Sequence, residues 1–186
     1  MPSLPELRAP LTDGAVAIRP AAERDIPEVL IAYQDDPSLH LRMGQVRPPS
    51  GAELGRRAER AEADRVAGRR LTLTVVEPGD DTCRGQIHVR GVDWDNSRAE
   101  LCIWVAPQRR GRGLGTRALA LVGAWLLRDG GLERVGVLTE SDNDQMVRAS
   151  LAAGFSYEGV LRGYTRARGG RVDNAVLSMV APDLRG

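Results

Sequence analysis

The sequence contains no lysine; all 26 of its basic residues are arginine. That leaves one amine on the protein itself open to acylation, the N-terminal one. The arginine excess reads as compositional bias in a charged surface. Aromatic residues are scarce, with three Trp, three Tyr and one Phe, so the core must be built from Leu, Val, Ala and Ile. Two cysteines, Cys83 and Cys102, are too few for a disulfide framework and lack metal-ligand spacing. The two histidines, His40 and His88, stand far apart, so no zinc site is readable and no metal is expected. Long apolar runs are missing too. The longest, Ala118–Leu127, is interrupted by Gly123 and is about half of what a membrane span requires. The opening Met1-Pro2-Ser3-Leu4-Pro5 has neither a basic nor an apolar secretory region. The expectation is a cytoplasmic protein with no membrane partner.

What remains is ordinary globular material. The 186 residues are 42% apolar and 27% charged, enough for one domain with a real core. A net charge of +1 gives no global pull toward nucleic acid. Residues 1–12 contain prolines and read as a loose arm. Ala15–Arg19 reads as a strand that Pro20 ends, and Glu23–Tyr33 has helical spacing through Ile26, Val29, Leu30 and Tyr33. Asp35–Pro49, with three prolines, reads as irregular or as a broken second helix. Ser50 and Glu53 have capping-box spacing ahead of a densely charged helix, Ala52–Ala67, expected to be solvated and laced with ion pairs.

Arg70–Glu77, Gly85–Val92 and Arg98–Val105 alternate as strands, separated by the turns Pro78–Asp81 and Asp95–Ser97, and predict an antiparallel meander. Gly113–Arg128 is a helix with one apolar stripe, closed by Gly130 and Gly131. Arg134–Thr139 reads as a buried strand and Asn143–Ala153 as a helix. Tyr157–Arg166 and Asn174–Val180 read as strands joined through Gly169 and Gly170. Helices interleaved with these strands describe an α/β (α+β) domain built on a mixed sheet.

Ile103–Thr116 carries the chemistry. A strand runs into the turn Arg110-Gly111-Arg112-Gly113-Leu114-Gly115, and the turn runs into a helix. Glycines at alternate positions let successive backbone amides point one way, at the positive end of a helix dipole. Such a nest suits an anion, and its place between a strand and a helix points to a cofactor phosphate. The glycine spacing does not match the dinucleotide fingerprint, and the turn lacks the Gly-Lys-Ser/Thr of a P-loop.

Arg110-x-x-Gly113-x-Gly115 resembles the Q/R-x-x-G-x-G/A loop of the GNAT superfamily of N-acetyltransferases. Ala99-Glu100-Leu101 and Trp104–Pro107 are similar to the strand before that loop. Asn143, followed by Ala153-Gly154-Phe155, is similar to the second coenzyme-contacting helix. Tyr157–Arg162 resembles the RimJ/RimL-like branch, which acetylates protein N-termini and other amines. The resemblance covers about Ala15 to Val180 and is most specific from Ala99 to Arg162. It implies one N-acetyltransferase domain over residues 1–186, with a mostly antiparallel sheet of about seven strands and about four helices.

The resemblance also implies acetyl-CoA as co-substrate. The backbone of Arg110, Gly111, Arg112, Gly113, Leu114, Gly115 and Thr116 would hold its pyrophosphate. The strand edge at Ile103, Trp104 and Val105 would pair with its pantetheine arm, one amide polarising the thioester carbonyl. Asn143 would touch the same arm. Glu100 stands where the family often carries a strand glutamate and is the candidate general base, direct or through water. The alternative for Glu100 is an ion pair that holds the cleft. Many relatives supply a proton to the leaving thiolate from a Tyr seven positions past the helix Asn; Ser150 stands there, and Met146 replaces a family serine. Asn143, Val147 and Ser150 share a helical stripe, so Ser150 is either a weak proton donor or an ordinary helix serine. Tyr164 is a further, weaker candidate donor. Cys102 reads as packing rather than as a nucleophile.

The function expected from this is transfer of acetyl from acetyl-CoA to a primary amine, a protein N-terminus or a small molecule. Acetylation of an antibiotic amine and non-catalytic coenzyme A sensing are the alternatives. A nucleic-acid partner is not expected. Homodimers are common in the RimJ/RimL-like branch, and the sequence carries no dimer signature of its own.

Overall fold

Alternating strands and striped helices assemble into one mixed sheet in the computed structural model, which describes residues 2–167 and 169–185. The strands are β1 (Leu11–Thr12), β2 (Ala17–Pro20), β3 (Leu71–Glu77), β4 (Asp80–Asp93), β5 (Arg98–Val105), β6 (Arg134–Glu140), β7 (Ser156–Ala167) and β8 (Gly170–Val180). The helices are α1 (Ile26–Asp35), α2 (Leu39–Arg42), α3 (Gly51–Val66), α4 (Leu114–Asp129) and α5 (Asp144–Ala152). Strand order is β1-β2-β3-β4-β5-β6-β8-β7. Every neighbouring pair is antiparallel except β5 and β6.

The expected meander is β3-β4-β5, joined by a tighter turn than expected because Asp80 already pairs with Glu77. The Asp35–Pro49 segment carries the one-turn helix α2, a broken second helix. Ser50 and Glu53 form the capping box, and no residue of α3 is buried, as its charge density requires. Its ion pairs mostly leave the helix. Glu53 and Asp64 pair with Arg47 and Arg69 outside it, and Glu62–Arg65 is internal.

The N-terminal arm corrects the sequence reading. Leu4 is fully buried, its amide donates to the Arg65 carbonyl at 3.0 Å, and Arg65 returns a bond to the Leu4 carbonyl at 2.7 Å. Leu7 and Leu11 pack behind it, and Leu11–Thr12 adds an eighth strand. Three leucines among prolines have enough apolar surface to dock, since burying one stabilises by about 1.5–3 kcal/mol. Met1, with the N-terminal amine, lies outside the described residues.

Two clusters of side chains cover the two faces of the sheet. The larger holds Ile87, Val89, Leu101, Leu119, Val122 and Leu177 under α4 and α5. Gly123 interrupts the apolar run of α4 for a packing reason: a Cβ there would come 3.3 Å from Met179 Sδ and 3.4 Å from Phe155 Cζ. The smaller cluster packs Val29, Tyr33, Leu39 and Met43 onto Cys83, Cys102 and Trp104 on the opposite face. No helix among the described residues is long and apolar enough to cross a membrane.

One buried ion pair ties this second face together. Arg19 grips Asp25 with both terminal nitrogens, at 2.6 and 2.9 Å, and its Nε meets Asp81. Thr74 and the Ala22 amide donate to the same Asp25 carboxylate, at 2.7 and 3.0 Å. Burial pushes the Asp25 carboxyl up, but the Arg19, Ala22 and Thr74 donors outweigh it and hold it below the usual carboxylate range. A depressed carboxyl stabilises the fold above its unfolded-state pKa of about 3.9, and that contribution is lost as pH falls through the lowered value. Asp25→Ala, which breaks the buried pair and leaves the guanidinium only the more exposed Asp81 as a counter-charge, is expected to cost about 3 kcal/mol in urea unfolding at pH 7. The gap between the two proteins should narrow as pH falls below the unfolded-state value of about 3.9 and through the lowered folded-state value, because the wild type then loses the pair as well. A pH-independent gap would show that the pair is not what Asp25 contributes.

Candidate functional site

β5 and β6 run parallel through the pairs Arg98↔Arg134 to Leu101↔Val137, and then part. β6 continues to Glu140 against β8, while β5 continues to Val105 against β4 alone. The edge of β5 from Cys102 to Val105 is therefore left open. A cleft of about 380 Å³ fills the gap, with Cys102, Ile103, Trp104 and Val105 on one wall and Leu138 and Thr139 on the other.

The glycine loop closes one end of the cleft. Arg110, Gly111, Gly113, Leu114, Gly115 and Thr116 all line it. Gly111 and Gly113 have φ of 74° and 79°, the left-handed region that other residues enter at a cost of about 1–2 kcal/mol. Gly113 is the N-cap of α4 and offers no side chain to cap it. The first amides of α4 therefore lack an intrahelical acceptor and face the cleft with the helix dipole behind them. Such donors fit a phosphate.

The side chains of the loop are committed elsewhere. Arg110 donates from Nε to the Val105 carbonyl at 3.0 Å and from Nη2 to Asp36 at 2.6 Å. Arg109 pairs with Glu77 at 3.2 Å, and Gln108 reaches Asp35 at 2.5 Å. Burial raises the Asp36 carboxyl, but Ser38 and Arg110 together hold it below its ordinary value. Two contacts thus fasten the loop to the C-terminal end of α1, and its capacity for anions is carried by backbone. Arg112 is exposed and, unlike its neighbours, does not line the cleft.

Asn143 lines the cleft, and it also has structural work. It caps α5 by accepting from the Met146 amide at 3.3 Å and donates to Thr139 at 3.0 Å, strapping the helix to β6. Ser150 shares its helical stripe, but two turns further on the stripe has passed from the cleft into the core. Ser150 is fully buried, is not among the cleft-lining residues, and its hydroxyl has no partner among the described residues. Glu100 lies on the α1–α3 face of the sheet, one strand repeat from Cys102. Its half-exposed carboxylate sits 4.0 Å from Arg90 and outside the cleft lining. Cys102 packs against Met43 with Sγ–Sδ at 3.6 Å, and burial pushes its thiol up, which suits packing and not nucleophilic attack. Tyr164 is exposed on β7. No group of three His, Cys, Asp or Glu among the described residues could hold a metal.

The acetyltransferase (GNAT) domain family matches residues 16–156. The chain belongs to this family. Among curated relatives, the uncharacterized N-acetyltransferase YoaA of Bacillus subtilis is 31% identical over 98 residues, 53% of this chain and 55% of YoaA. Mycothiol acetyltransferase of Rhodococcus erythropolis is 33% identical over 106 residues, 57% of this chain and 31% of that protein. The matched stretches thus span about half and a third of those relatives. Among solved structures, Mycobacterium smegmatis RimJ in complex with CoA-disulfide has a similar fold, with a TM-score of 0.79 at 23% identity, covering 96% of this chain and 88% of that one. The mixed sheet with helices on both faces is the GNAT fold, here with eight strands.

Sequence reasoning missed part of the lining of this GNAT cleft. Gln145, Met146, Arg148 and Ala149 face it from α5, and Leu39 and Arg42 face it from α2. Spacing along α5 could have found the first group. The α2 residues carried no signal, because their approach depends on how the segment after α1 folds back. Ser150→Ala is expected to leave the melting temperature unchanged or raise it, since it removes an unpaired buried hydroxyl. A loss of acetyl transfer of more than about tenfold at unchanged stability would restore Ser150 as a proton donor.

Proposed function

We propose that the protein is an acetyl-CoA-dependent N-acetyltransferase acting on a primary amine, and we read the whole chain as one domain of this kind. The observation that carries the reading is the uncapped amide nest of Gly111–Thr116, set at the mouth of the β5–β6 gap. The nest would hold the coenzyme pyrophosphate. The open edge of Ile103, Trp104 and Val105 would pair with the pantetheine arm, and Asn143 and Met146 would border that arm from α5. Acetyl-CoA supplies an activated acyl group. The amine nitrogen bonds to the thioester carbon, the carbon–sulfur bond breaks, the amine proton leaves to a base, and sulfur departs as thiolate. A thiol pKa of about 8.5 makes thiolate a tolerable leaving group without a dedicated acid, which fits the seclusion of Ser150.

Saturating acetyl-CoA is expected to raise thermal stability, by about 2.7 kcal/mol at a concentration ~100 times its Kd. Gly113→Asp should abolish that shift, because it puts a carboxylate into the phosphate nest. An unchanged melting curve of the wild type with acetyl-CoA and with CoA would defeat the coenzyme assignment.

Glu100 is the base in this reading, acting through water, since its half-exposed carboxylate stands outside the cleft lining. Glu100→Gln is expected to lower turnover by about 10²–10⁴-fold with the Kd for acetyl-CoA unchanged. The loss should shrink as pH rises, since more of the amine is then already neutral. Equal turnover of the two forms across the pH range would move the proton acceptor elsewhere.

A further inference from the structure

The sheet face that carries Glu100 gathers guanidinium groups around it. Thr72, His88 and Cys102 stand in one row across β3, β4 and β5. In the adjacent row Arg90 pairs with Glu100. Arg70 precedes Leu71, the partner of Val89, and so stands beside Arg90 where the ladder begins. Arg57, on α3, lies within electrostatic reach of both the His88 imidazole and the Tyr33 hydroxyl. The Arg90 guanidinium extends under the end of α2, where its Nη1 lies 4.0 Å from the Cβ position of Gly44. Arg42, on α2 itself, lines the cleft. Arg57, Arg70 and Arg90 thus gather near His88 on the α1–α3 face, and Arg42 stands on the cleft side of α2, under whose end Arg90 extends.

These arginines are poorly neutralised. Arg57 and Arg70 are exposed and make no ion pair among the described residues. Arg90 faces Glu100 at 4.0 Å and Arg42 faces Asp36 at 4.0 Å, both beyond hydrogen-bond distance. Asp36 is already held by Arg110 at 2.6 Å. Some arginines elsewhere are paired more closely, as in Arg19–Asp25, Arg65–Glu62 and Arg69–Asp64 at 2.6–2.7 Å. Arg70 and Arg90 stand side by side on this face with one half-exposed carboxylate, Glu100, next to Arg90, so the local charge is positive. His88 adds no charge of its own: burial first, then Arg70, Arg90 and Arg57, push its imidazole down to about 3.

We propose that this arginine cluster receives an anionic group of the acceptor, so that the preferred substrate is an amine carrying a carboxylate or phosphate close to its nitrogen. The proposal rests on the acetyltransferase reading and narrows it. A positive field has a second effect on such a substrate. It disfavours the ammonium form and so lowers the pKa of the attacking nitrogen, easing the task of Glu100. Polycationic amines are disfavoured by the same field.

Matched acceptors test this. Seryl-aspartate amide is compared with seryl-asparagine amide, phosphoethanolamine with ethanolamine, and spermidine serves as the polycation. The wild type is expected to favour each acidic member in kcat/KM by about tenfold or more, the size of one hydrogen bond to a charged group. The ratio should fall toward one in Arg57→Gln/Arg70→Gln, whose sites are exposed and unpaired, and in Arg90→Gln, with the Kd for acetyl-CoA unchanged. A larger ratio in the dipeptide pair identifies the anion as a carboxylate, and in the ethanolamine pair as a phosphate. Neutral amines or spermidine used as well as the acidic ones, or a ratio the variants leave intact, would overturn the proposal. If acetyl-CoA binds but no acceptor is acetylated, the enzyme reading fails by itself. Calorimetry with the two acidic amines then decides the arginine site: binding lost in the variants supports it, and no binding to the wild type overturns it.

Discussion

The parting of β5 from β6 after Leu101 and Val137 is the constraint on which the rest of the site depends. Backbone groups of a strand need partners, and an open edge inside a sheet is costly unless something manages it. Here both ends of the gap are held. The Val105 carbonyl is taken by the Arg110 side chain and the Ala106 amide by the Arg84 carbonyl, so β5 ends cleanly in the glycine loop. On the other side Asn143 bonds to Thr139 and keeps α5 against β6. The gap is thus a fixed feature with one unpaired strand edge, a helix N-terminus above it, and room for an extended chain between.

The same contacts link the two halves of the proposed reaction. Arg110 and Gln108 join the glycine loop to Asp36 and Asp35 at the end of α1, and α1 leads into α2, whose Leu39 and Arg42 border the cleft. Whatever occupies the loop therefore bears on the position of the segment that borders the acceptor side. Arginine suits both kinds of work in this chain. Its planar fork makes the bidentate grip on Asp25, and its permanent charge persists where it is left unpaired. A lysine beside Arg57, Arg70 and Arg90 would be pushed toward neutrality by the other charges. Arginine holds the field at any working pH.

Features set by near neighbours were legible in the sequence. The meander, the Ser50–Glu53 capping box and the glycine turn ahead of α4 all followed from spacing within a few residues. The stripe through Asn143, Val147 and Ser150 was also real, but which way it faced was not readable. The stripe starts at the cleft with Asn143 and ends in the core, where Ser150 is sealed. The arm failed in the opposite direction. Its prolines suggested looseness, while Leu4 found a socket beside Arg65, 61 residues away.

The sequence by itself determined most of the elements, the glycine loop ahead of α4 and the GNAT resemblance, because turn chemistry and periodicity act over one or two turns of chain. Only the tertiary structure decided that the Arg110 guanidinium is tied to Asp36, that Ser150 is walled off, and that Arg90 stands beside Glu100 with Arg57 and Arg70 near His88. Those facts depend on strand register and on where α1–α3 fold back over the sheet. Both are set by packing between residues far apart in the chain, and no local pattern encodes them.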